Sequence, residues 1–506
     1  MKKALLIFSK VFVTIILTIT EIVFIYNMFF NMSINSQIIN ILFRILGATI
    51  IIYIINNTKH LSRDLSWIIF IVLFPVLGGV TYFIIYRRLF SNKYFKRINK
   101  IEHDTKKYLK QDKTILNEIK DTDKNAYSQI SYLSSYNNYP IYQNSEYKYY
   151  PLGELAFEKM LEELKKAKKF IFMEYFIYEK GIMWNSILEI LKEKVKEGVE
   201  VRVMYDDAGC ISTLPKNYDK ELEKYGIKCT IFNKITPIAA VFYNNRDHRK
   251  ILVIDGEVAF SGGINIADEY INKKVVYGHW KDNGFMIKGE AVWNYTVMFL
   301  RTWNSFRNED NDYNKFKSEI KNKNQDGYIL PYGFNPLANE LIAENVYLNI
   351  INNATDYIYI FTPYLIIDNE IINALGLCAK RGVDVRIVTP GIPDKKIIYN
   401  ITESYYKILI EQGVKIYEYT PGFIHAKVFV CDDKIATVGT INMDYRSLYL
   451  HFECGSLLYN SKEIKEIKKD AIETIEKSKN VVLSNMKTSI FKRILSAILR
   501  ILAPLL

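Results

Sequence analysis

The chain has 506 residues, 49% of them hydrophobic, enough for roughly three units with ample cores. Lys and Arg (67) outnumber Asp and Glu (55), and the net charge of +12 fits an anionic partner, lipid headgroups or nucleic acid, without choosing between them. The five cysteines (Cys210, Cys229, Cys378, Cys431, Cys454) are odd in number and scattered, which speaks against a disulfide scaffold and for free thiols in a reducing compartment.

Residues 1–90 carry three apolar segments. Ala4–Phe30 is interrupted by Lys10 and Glu21, and Ile38–Ile55 only by Arg44. Leu65–Tyr86 has no charge and is long enough to cross a bilayer. Arg87, Arg88, Lys93, Lys96, Arg97 and Lys100 follow before the first acid, Glu102. The positive-inside rule places this flank, and the region after it, in the cytoplasm. Two crossings also place Lys2 and Lys3 inside, whereas three do not. The expectation is a multi-pass anchor in the cell membrane, one early segment lying in the interface or forming a hairpin. No signal peptide is expected, because no small-x-small cleavage site is evident. Residues 91–145 read as a basic juxtamembrane linker.

An internal repeat follows, over 146–310 and 327–486. Lys169–Ile177 resembles Tyr357–Leu365, and Val199–Met204 resembles Val383–Val388. Each pair is a β-rich run, a helical stretch closed by Gly198 or Gly382, then another strand. Strands alternating with helices predict an α/β sandwich in each half. Residues 311–326, rich in Asn, Asp and Lys, read as the linker between halves.

Inside the repeat, H-x-K-x-x-x-x-D followed by G-x-x-N occurs twice at a constant offset of 177 residues. The first copy is His248, Lys250, Asp255, Gly262 and Asn265; the second is His425, Lys427, Asp432, Gly439 and Asn442. Each reads as a β-hairpin, with Asp255-Gly256 as a strong turn in the first. Residues two apart in a strand share a face, so each His points with its Lys. Two such hairpins side by side bring two imidazoles and two ammoniums to one point, which fits a phosphodiester. One neutral His can attack phosphorus while the other, protonated, serves the leaving oxygen. The lysines and the Asn265 and Asn442 amides are candidates to hold the non-bridging oxygens. Asp255 and Asp432 belong to the repeated pattern, and a turn role is equally open to them. A carboxylate should orient a catalytic His. Glu453, 28 residues after His425, is the candidate there; the same offset in the first half falls on Val276, leaving Asp268 or Glu269 as substitutes. There is no C-x-x-C or H-E-x-x-H, so no metal ligand set and no cofactor is expected.

The C-terminal stretch 487–506 reads as an amphipathic helix. Arg493, Ser496 and Arg500 share one face, and Phe491, Ile494, Leu495, Ile498 and Leu502 form a broad apolar side. That pattern fits an anionic bilayer surface.

The paired motifs resemble those of the phospholipase D superfamily. Asn245–Gly256, Phe260–Tyr270, Tyr205–Cys210, Gly278–Asp282, Gly289–Trp293 and Phe361–Tyr364 are similar in particular to bacterial cardiolipin synthases. The resemblance implies two pseudo-symmetric α/β halves sharing one active site behind a helical membrane region. It further implies that His248 forms a phosphohistidine and His425 is the acid. The activity implied is phosphatidyl transfer between two phosphatidylglycerol molecules, with phosphatidylglycerol and anionic lipids as partners and no nucleic acid. A hydrolase, a membrane-anchored nuclease or a non-catalytic scaffold are the rival readings; the last is disfavoured because both motifs are intact.

Overall fold

The structure is a computed structural model that describes residues 18–23, 25–26, 34–58, 61–82, 92–234, 245–319, 327–338, 340–485 and 490–505. It divides into two compact units. One comprises Met1–Phe95, Lys234–Asn244 and Ser489–Leu506; the other comprises Lys96–Asn233 and Asn245–Thr488.

In the first unit, the helix Ile34–Asn57 is the one described helix long and apolar enough to cross a membrane, over Gln37–Asn57. The expected single span Leu65–Tyr86 is not formed. The helix Leu61–Leu73 stops, Phe74 leaves helical geometry (φ −134°, ψ 75°), and a short helix Pro75–Thr81 restarts. Pro75 causes the break, because its ring cannot continue the preceding helix and suits a first helical position. Thirteen residues are too few to cross a hydrocarbon core. The multi-pass expectation is therefore not carried by the described residues, and most of Ala4–Phe30 lies outside them. Within that segment, Glu21 is buried and its carboxylate accepts the Leu77 N–H at 2.7 Å, capping the Pro75 helix. Ile50, Ile54, Trp67, Ile71 and Tyr82 form this unit's core. Ile38, Ile39, Ile41, Leu42, Ile45 and Leu46 stay exposed. The C-terminal helix Ile490–Leu502 packs near the helix Leu61–Leu73, with Ile494, Leu495, Ile498 and Ile501 exposed and Arg500 half-buried.

The second unit is a mixed α/β fold in two pseudo-repeated halves. In chain order the first half contributes β1 (Ser145–Tyr150), β2 (Phe170–Tyr175), β3 (Glu200–Asp206), β4 (Lys228–Phe232), β5 (Lys250–Ile254), β6 (Val258–Gly262), β7 (His279–Lys281) and β8 (Gly284–Gly289). The second contributes β9 (Tyr328–Phe334), β10 (Tyr357–Phe361), β11 (Leu365–Ile366), β12 (Asp384–Pro390), β13 (Lys415–Tyr419), β14 (Gly422–Ile424), β15 (Val428–Cys431), β16 (Ile435–Gly439), β17 (Met443–Asp444), β18 (Glu453–Tyr459) and β19 (Ser478–Val481). The first sheet runs β1-β8-β6-β5-β2-β3-β4. The second runs β9-β18-β16-β15-β10-β12-β13, the same order strand for strand, with β19 added at its edge. In each, three parallel strands (β2-β3-β4 and β10-β12-β13) are joined by helical crossovers, as parallel pairing requires. Ile182–Lys196 is the first crossover; Met183, Trp184, Ile187, Leu188 and Leu191 are buried against the sheet, and Gly198 takes φ +89° past its end. β2 and β10 are buried along their whole length, which is why they read as unbroken apolar runs.

Residues 96–145 are packed rather than a linker. Arg97 donates to the Asn304 carbonyl at 3.0 Å, and Arg301 donates to Thr105 Oγ1 at 2.8 Å. The start of the inter-half segment is also folded in: Asp310 pairs with Arg202 at 2.5 Å, and Tyr313 and Phe316 are buried. Residues 320–326 lie outside the description.

Candidate active site

The two halves meet through short backbone pairings that fall beside the motif histidines. β14 pairs in parallel with β7, setting Ile424 opposite Lys281. His425 then donates its N–H to the Lys281 carbonyl at 2.7 Å. In the other half Asp247 bridges to Phe452, and His248 donates its N–H to the Phe452 carbonyl at 2.9 Å. Each histidine is thus anchored to the residue just before a carboxylate of the opposite half. The side chains follow: His248 Nδ1 lies 2.9 and 3.0 Å from the Glu453 oxygens, and His425 Nδ1 lies 2.7 Å from Asp282 Oδ2. All four groups are buried. The orienting carboxylates are therefore exchanged between halves.

This corrects the expected pairing. Glu453 orients His248 rather than His425, and the partner of His425 is Asp282. Gly262 pairs with Gly284 and Gly439 with Gly455, so Asp282 and Glu453 occupy the same place two residues before the paired glycine. The offset between them is six residues less than 177, because the first half has a longer loop ahead of β7. A constant offset consequently lands on Val276, which is exposed. Asp268 instead caps the Ile182–Lys196 helix, accepting the N–H groups of Ile182 and Met183 at 2.9 and 2.8 Å. The motif glycines serve the same junction. A Cβ on Gly262 would lie 2.5 Å from the Asn283 carbonyl, and one on Gly439 2.4 Å from that of Cys454.

The two pairs differ electrostatically. Burial holds His248 well below the usual imidazole range, reinforced by Lys250, His451 and Lys427. Burial likewise pushes Glu453 up to about 8, against the pull of Lys250 and the Thr440 hydroxyl. His425 is lowered to about 4, by burial and then Lys427, with Asp282 opposing. Asp282 itself is held low: burial would raise it, but His425 and Lys427 outweigh that. So His248 and Glu453 form a neutral pair, while His425 faces an ionised carboxylate. With Nδ1–H given to the Glu453 carboxyl in one pair and to the Asp282 carboxylate in the other, each Nε2 carries the lone pair. Lys427 Nζ also lies 2.8 Å from His425 Nδ1, but a nitrogen donating to Asp282 cannot accept from Lys427.

Lys250 and Lys427 are buried at the same place, each donating to the carbonyl of its own histidine, Lys250 at 2.6 Å. Burial lowers them to about 8 and about 7, against the pull of the buried carboxylates, and an incoming anion would hold both of them charged. The asparagines are less free than expected. Asn265 uses its oxygen on the Ile177 N–H (3.1 Å) and its amide on the Tyr270 hydroxyl (2.7 Å). Asn442 keeps a buried oxygen with no partner.

The motif aspartates are not brought to the histidines. They lie at the far ends of β5 and β15, in hairpin turns where Asp255 and Gly256 take φ 55° and 72°, and Asp432 and Asp433 take 53° and 54°. Asp255 accepts the N–H groups of Lys168, Lys169 and Phe170 at 2.7–2.8 Å, and Asp432 those of Thr355, Asp356 and Tyr357 at 2.7–2.9 Å. Each one locks the hairpin to the start of the neighbouring central strand, and its catalytic assignment is withdrawn on that ground. Asp255→Ala strips partners from three N–H groups and is expected to cost about 3 kcal/mol in chemical denaturation. Turnover per folded molecule should stay within about threefold of the parent, given that distance from the chemistry. A loss of turnover without a loss of stability would return Asp255 to the reacting centre.

Sequence reasoning missed His451. It is buried, neither ring nitrogen has a partner, and its ring centroid lies 5.7 Å from that of His248. Its near-adjacency to Glu453 was the available signal. His248, His451 and Glu453 offer ligand atoms within 4.8 Å of one another, a donor set of the kind zinc takes. However, Lys250, Lys427, Arg246 and Arg446 press positive charge on these histidines, an environment that repels a cation and draws an anion. Aromatic rings flank both histidines: Phe176 beside His248, and Tyr270, Trp280 and Phe423 beside His425. All five cysteines are buried and unpaired.

Comparison with known proteins shows the family. A family model described as cardiolipin synthase, PLD-like domain, matches residues 160–303 and 347–475, one block in each half. An uncharacterized protein of Streptococcus mutans is 46% identical over 90% of this chain and 99% of its own length. Cardiolipin synthases of Clostridium perfringens (35% identity, 87% of this chain, 94% of the relative) and Alkalihalophilus pseudofirmus (33%, 90% and 91%) are similar over nearly the whole chain. The phosphatidylserine synthase of Haemophilus influenzae shares the fold, with a TM-score of 0.54 at 14% identity over 73% of this chain and 96% of its own. Two matched repeat halves and end-to-end relatives above 30% identity lead to one conclusion: the chain is an enzyme of the phospholipase D superfamily and belongs to its cardiolipin synthases.

Proposed function

We propose that the protein transfers a phosphatidyl group from one phosphatidylglycerol to another, giving cardiolipin and glycerol. His248 Nε2 attacks the phosphorus of the donor lipid, and the P–O bond to glycerol breaks. The departing oxygen takes a proton from His425. A second phosphatidylglycerol then offers its terminal hydroxyl; its proton passes to His425, the new P–O bond forms, and the P–N bond breaks. Lys250 and Lys427 balance the charge on the non-bridging oxygens.

The observation that carries this reading is the exchanged pair of histidine–carboxylate contacts. The neutral His248–Glu453 pair suits a nucleophile. An ionised Asp282 against His425 favours an imidazolium and suits the acid. Burial and Lys427 keep His425 neutral, so it gains its proton as the anionic donor enters and offsets the lysine charges.

A lipid substrate is favoured by the surroundings. The aromatic lining beside His425 continues through Tyr277 to Val275 and Val276, of which Val275 is 77% exposed. Ile392 of the other half, also exposed, stands 3.1 Å from where a Gly278 Cβ would be. Exposed aliphatic side chains beside Lys273, Lys274 and Lys395 form a rim suited to an anionic bilayer. The helix Gln37–Asn57 and the exposed Ile494, Leu495, Ile498 and Ile501 of the C-terminal helix would tether the chain to such a bilayer.

Purified full-length protein in phosphatidylglycerol vesicles, with chelator, tests the reading by mass spectrometry of the lipids. Cardiolipin with equimolar glycerol is expected. Phosphatidic acid as the main product would mean that water is the acceptor and that the protein is a hydrolase. Turnover of DNA but of no lipid would establish the nuclease.

A further inference from the structure

Transfer between two lipids places two phosphodiesters at one centre, and the two motifs account for only the first. The acceptor's own phosphate must sit one glycerol away from the reacting phosphorus. His451 stands beside His248, their ring centroids 5.7 Å apart, within reach of a group held next to the reacting phosphorus. It is 92% buried by its 8% exposure, and both ring nitrogens lack a partner. A buried imidazole with two idle polar atoms is costly unless a ligand engages it.

Backbone contacts join the His451 segment to Arg446 and, across the junction between halves, to Arg246. His451 donates its N–H to the Arg446 carbonyl at 2.8 Å, across the end of the short helix Tyr445–Tyr449. Its neighbour Phe452 donates to the Arg246 carbonyl at 2.8 Å, and Asn245 Nδ2 donates to the Leu450 carbonyl at 2.7 Å. Arg246 is buried, whereas Arg446 and Lys395 are exposed. Arg246 is already held by Asp206 (3.6 Å) and the Asn233 carbonyl (3.0 Å), which fixes its position. After burial, the charges of Arg446, Arg246, Lys250 and Lys395 are what press on the His451 ring.

We propose that His451, with Arg446 and Arg246, binds the phosphodiester of the acceptor lipid and so presents its terminal hydroxyl to the phosphorus on His248; this rests on the transferase reading above. The site discriminates acceptors by whether they carry a phosphate. Water and free glycerol do not, and phosphatidylglycerol does. Filling the subsite therefore favours transfer over hydrolysis.

The test measures two reactions in one sample: full-length protein in phosphatidylglycerol vesicles with isotope-labelled glycerol in the water. Label entering phosphatidylglycerol reports an acceptor without phosphate, and cardiolipin reports one with it. In His451→Gln and Arg446→Gln the ratio of cardiolipin to labelled phosphatidylglycerol is expected to fall at least tenfold. Arg446→Lys should recover most of it. Misfolding lowers both rates together and leaves the ratio alone; should His451→Gln not fold, Arg446→Gln, on the surface, carries the test. An unchanged ratio in the folded glutamine variants overturns the subsite. Wild-type protein that incorporates glycerol but makes no cardiolipin overturns the proposed function instead.

Discussion

The His248→Ala protein is expected to carry no covalent phosphatidyl group and to turn lipid over on the order of 10⁵-fold more slowly than the parent. His248 presents its Nε2 because Nδ1 is committed to Glu453 at 2.9 Å, and it is neutral because burial and Lys250 hold it well below the usual imidazole range. No other described nucleophile has that combination at this position. His451 is nearest, but it has no carboxylate within hydrogen-bond distance, its Nδ1 lying 3.9 Å from Glu453. The check is acid quenching with phosphorus-labelled phosphatidylglycerol, followed by intact-mass and peptide analysis. His425→Ala provides the contrast. A lipid with a p-nitrophenol leaving group needs no acid, so that variant should form the covalent species and retain it, lacking a base for the acceptor. Label on the His248→Ala chain would sink the assignment, and label on His425 in the parent would reverse the roles.

Glu453→Gln and Asp282→Asn are each expected to slow turnover by about a thousandfold, through different steps. Either amide can donate to Nδ1, favouring the tautomer with Nε2 protonated, and Asp282→Asn also removes the charge opposite His425. At His248 this blocks the attacking lone pair. At His425 it weakens the imidazolium needed to protonate the leaving oxygen. The p-nitrophenol substrate separates the two: formation of the covalent intermediate should recover in Asp282→Asn and stay slow in Glu453→Gln. Recovery in both, or in Glu453→Gln alone, would mean that the carboxylates do not serve the histidines they touch. Neither variant should lose the fold, because Asn and Gln keep the shape of the buried site.

The motif groups were legible because they are local. H-x-K places a histidine and a lysine two residues apart, the turn residues end the hairpin, and the second copy at 177 residues makes coincidence untenable. The repeat of strands and crossover helices was legible for the same reason: its periodicity is written within windows of a few residues. Glu453 was found as a carboxylate, yet assigned to the wrong histidine. Asp282 was present in a quoted segment without a role. Both misreadings have one cause. The carboxylates reach their histidines across the junction between halves, through β7 with β14 and Asp247 with Phe452, and no spacing along the chain encodes that pairing.

The motif aspartates show the converse. A repeated position in a motif invites a catalytic role, whereas Asp255 and Asp432 each hold three backbone N–H groups of a neighbouring strand. Their recurrence follows from the repeated hairpin. At the membrane end, hydropathy summed over Leu65–Tyr86 gave a span, but Pro75 divides it, because one missing N–H outweighs a run of apolar side chains. Sequence alone determined the chemistry available: two imidazoles, two ammoniums and a lipid-compatible composition in a duplicated α/β chain. Only the tertiary structure decided which carboxylate faces which imidazole, which aspartates hold the neighbouring strands, and that a third histidine, its ring nitrogens unpartnered, stands beside His248. Those outcomes depend on contacts between residues some 140 to 205 positions apart, which exist only once the two halves have closed on each other.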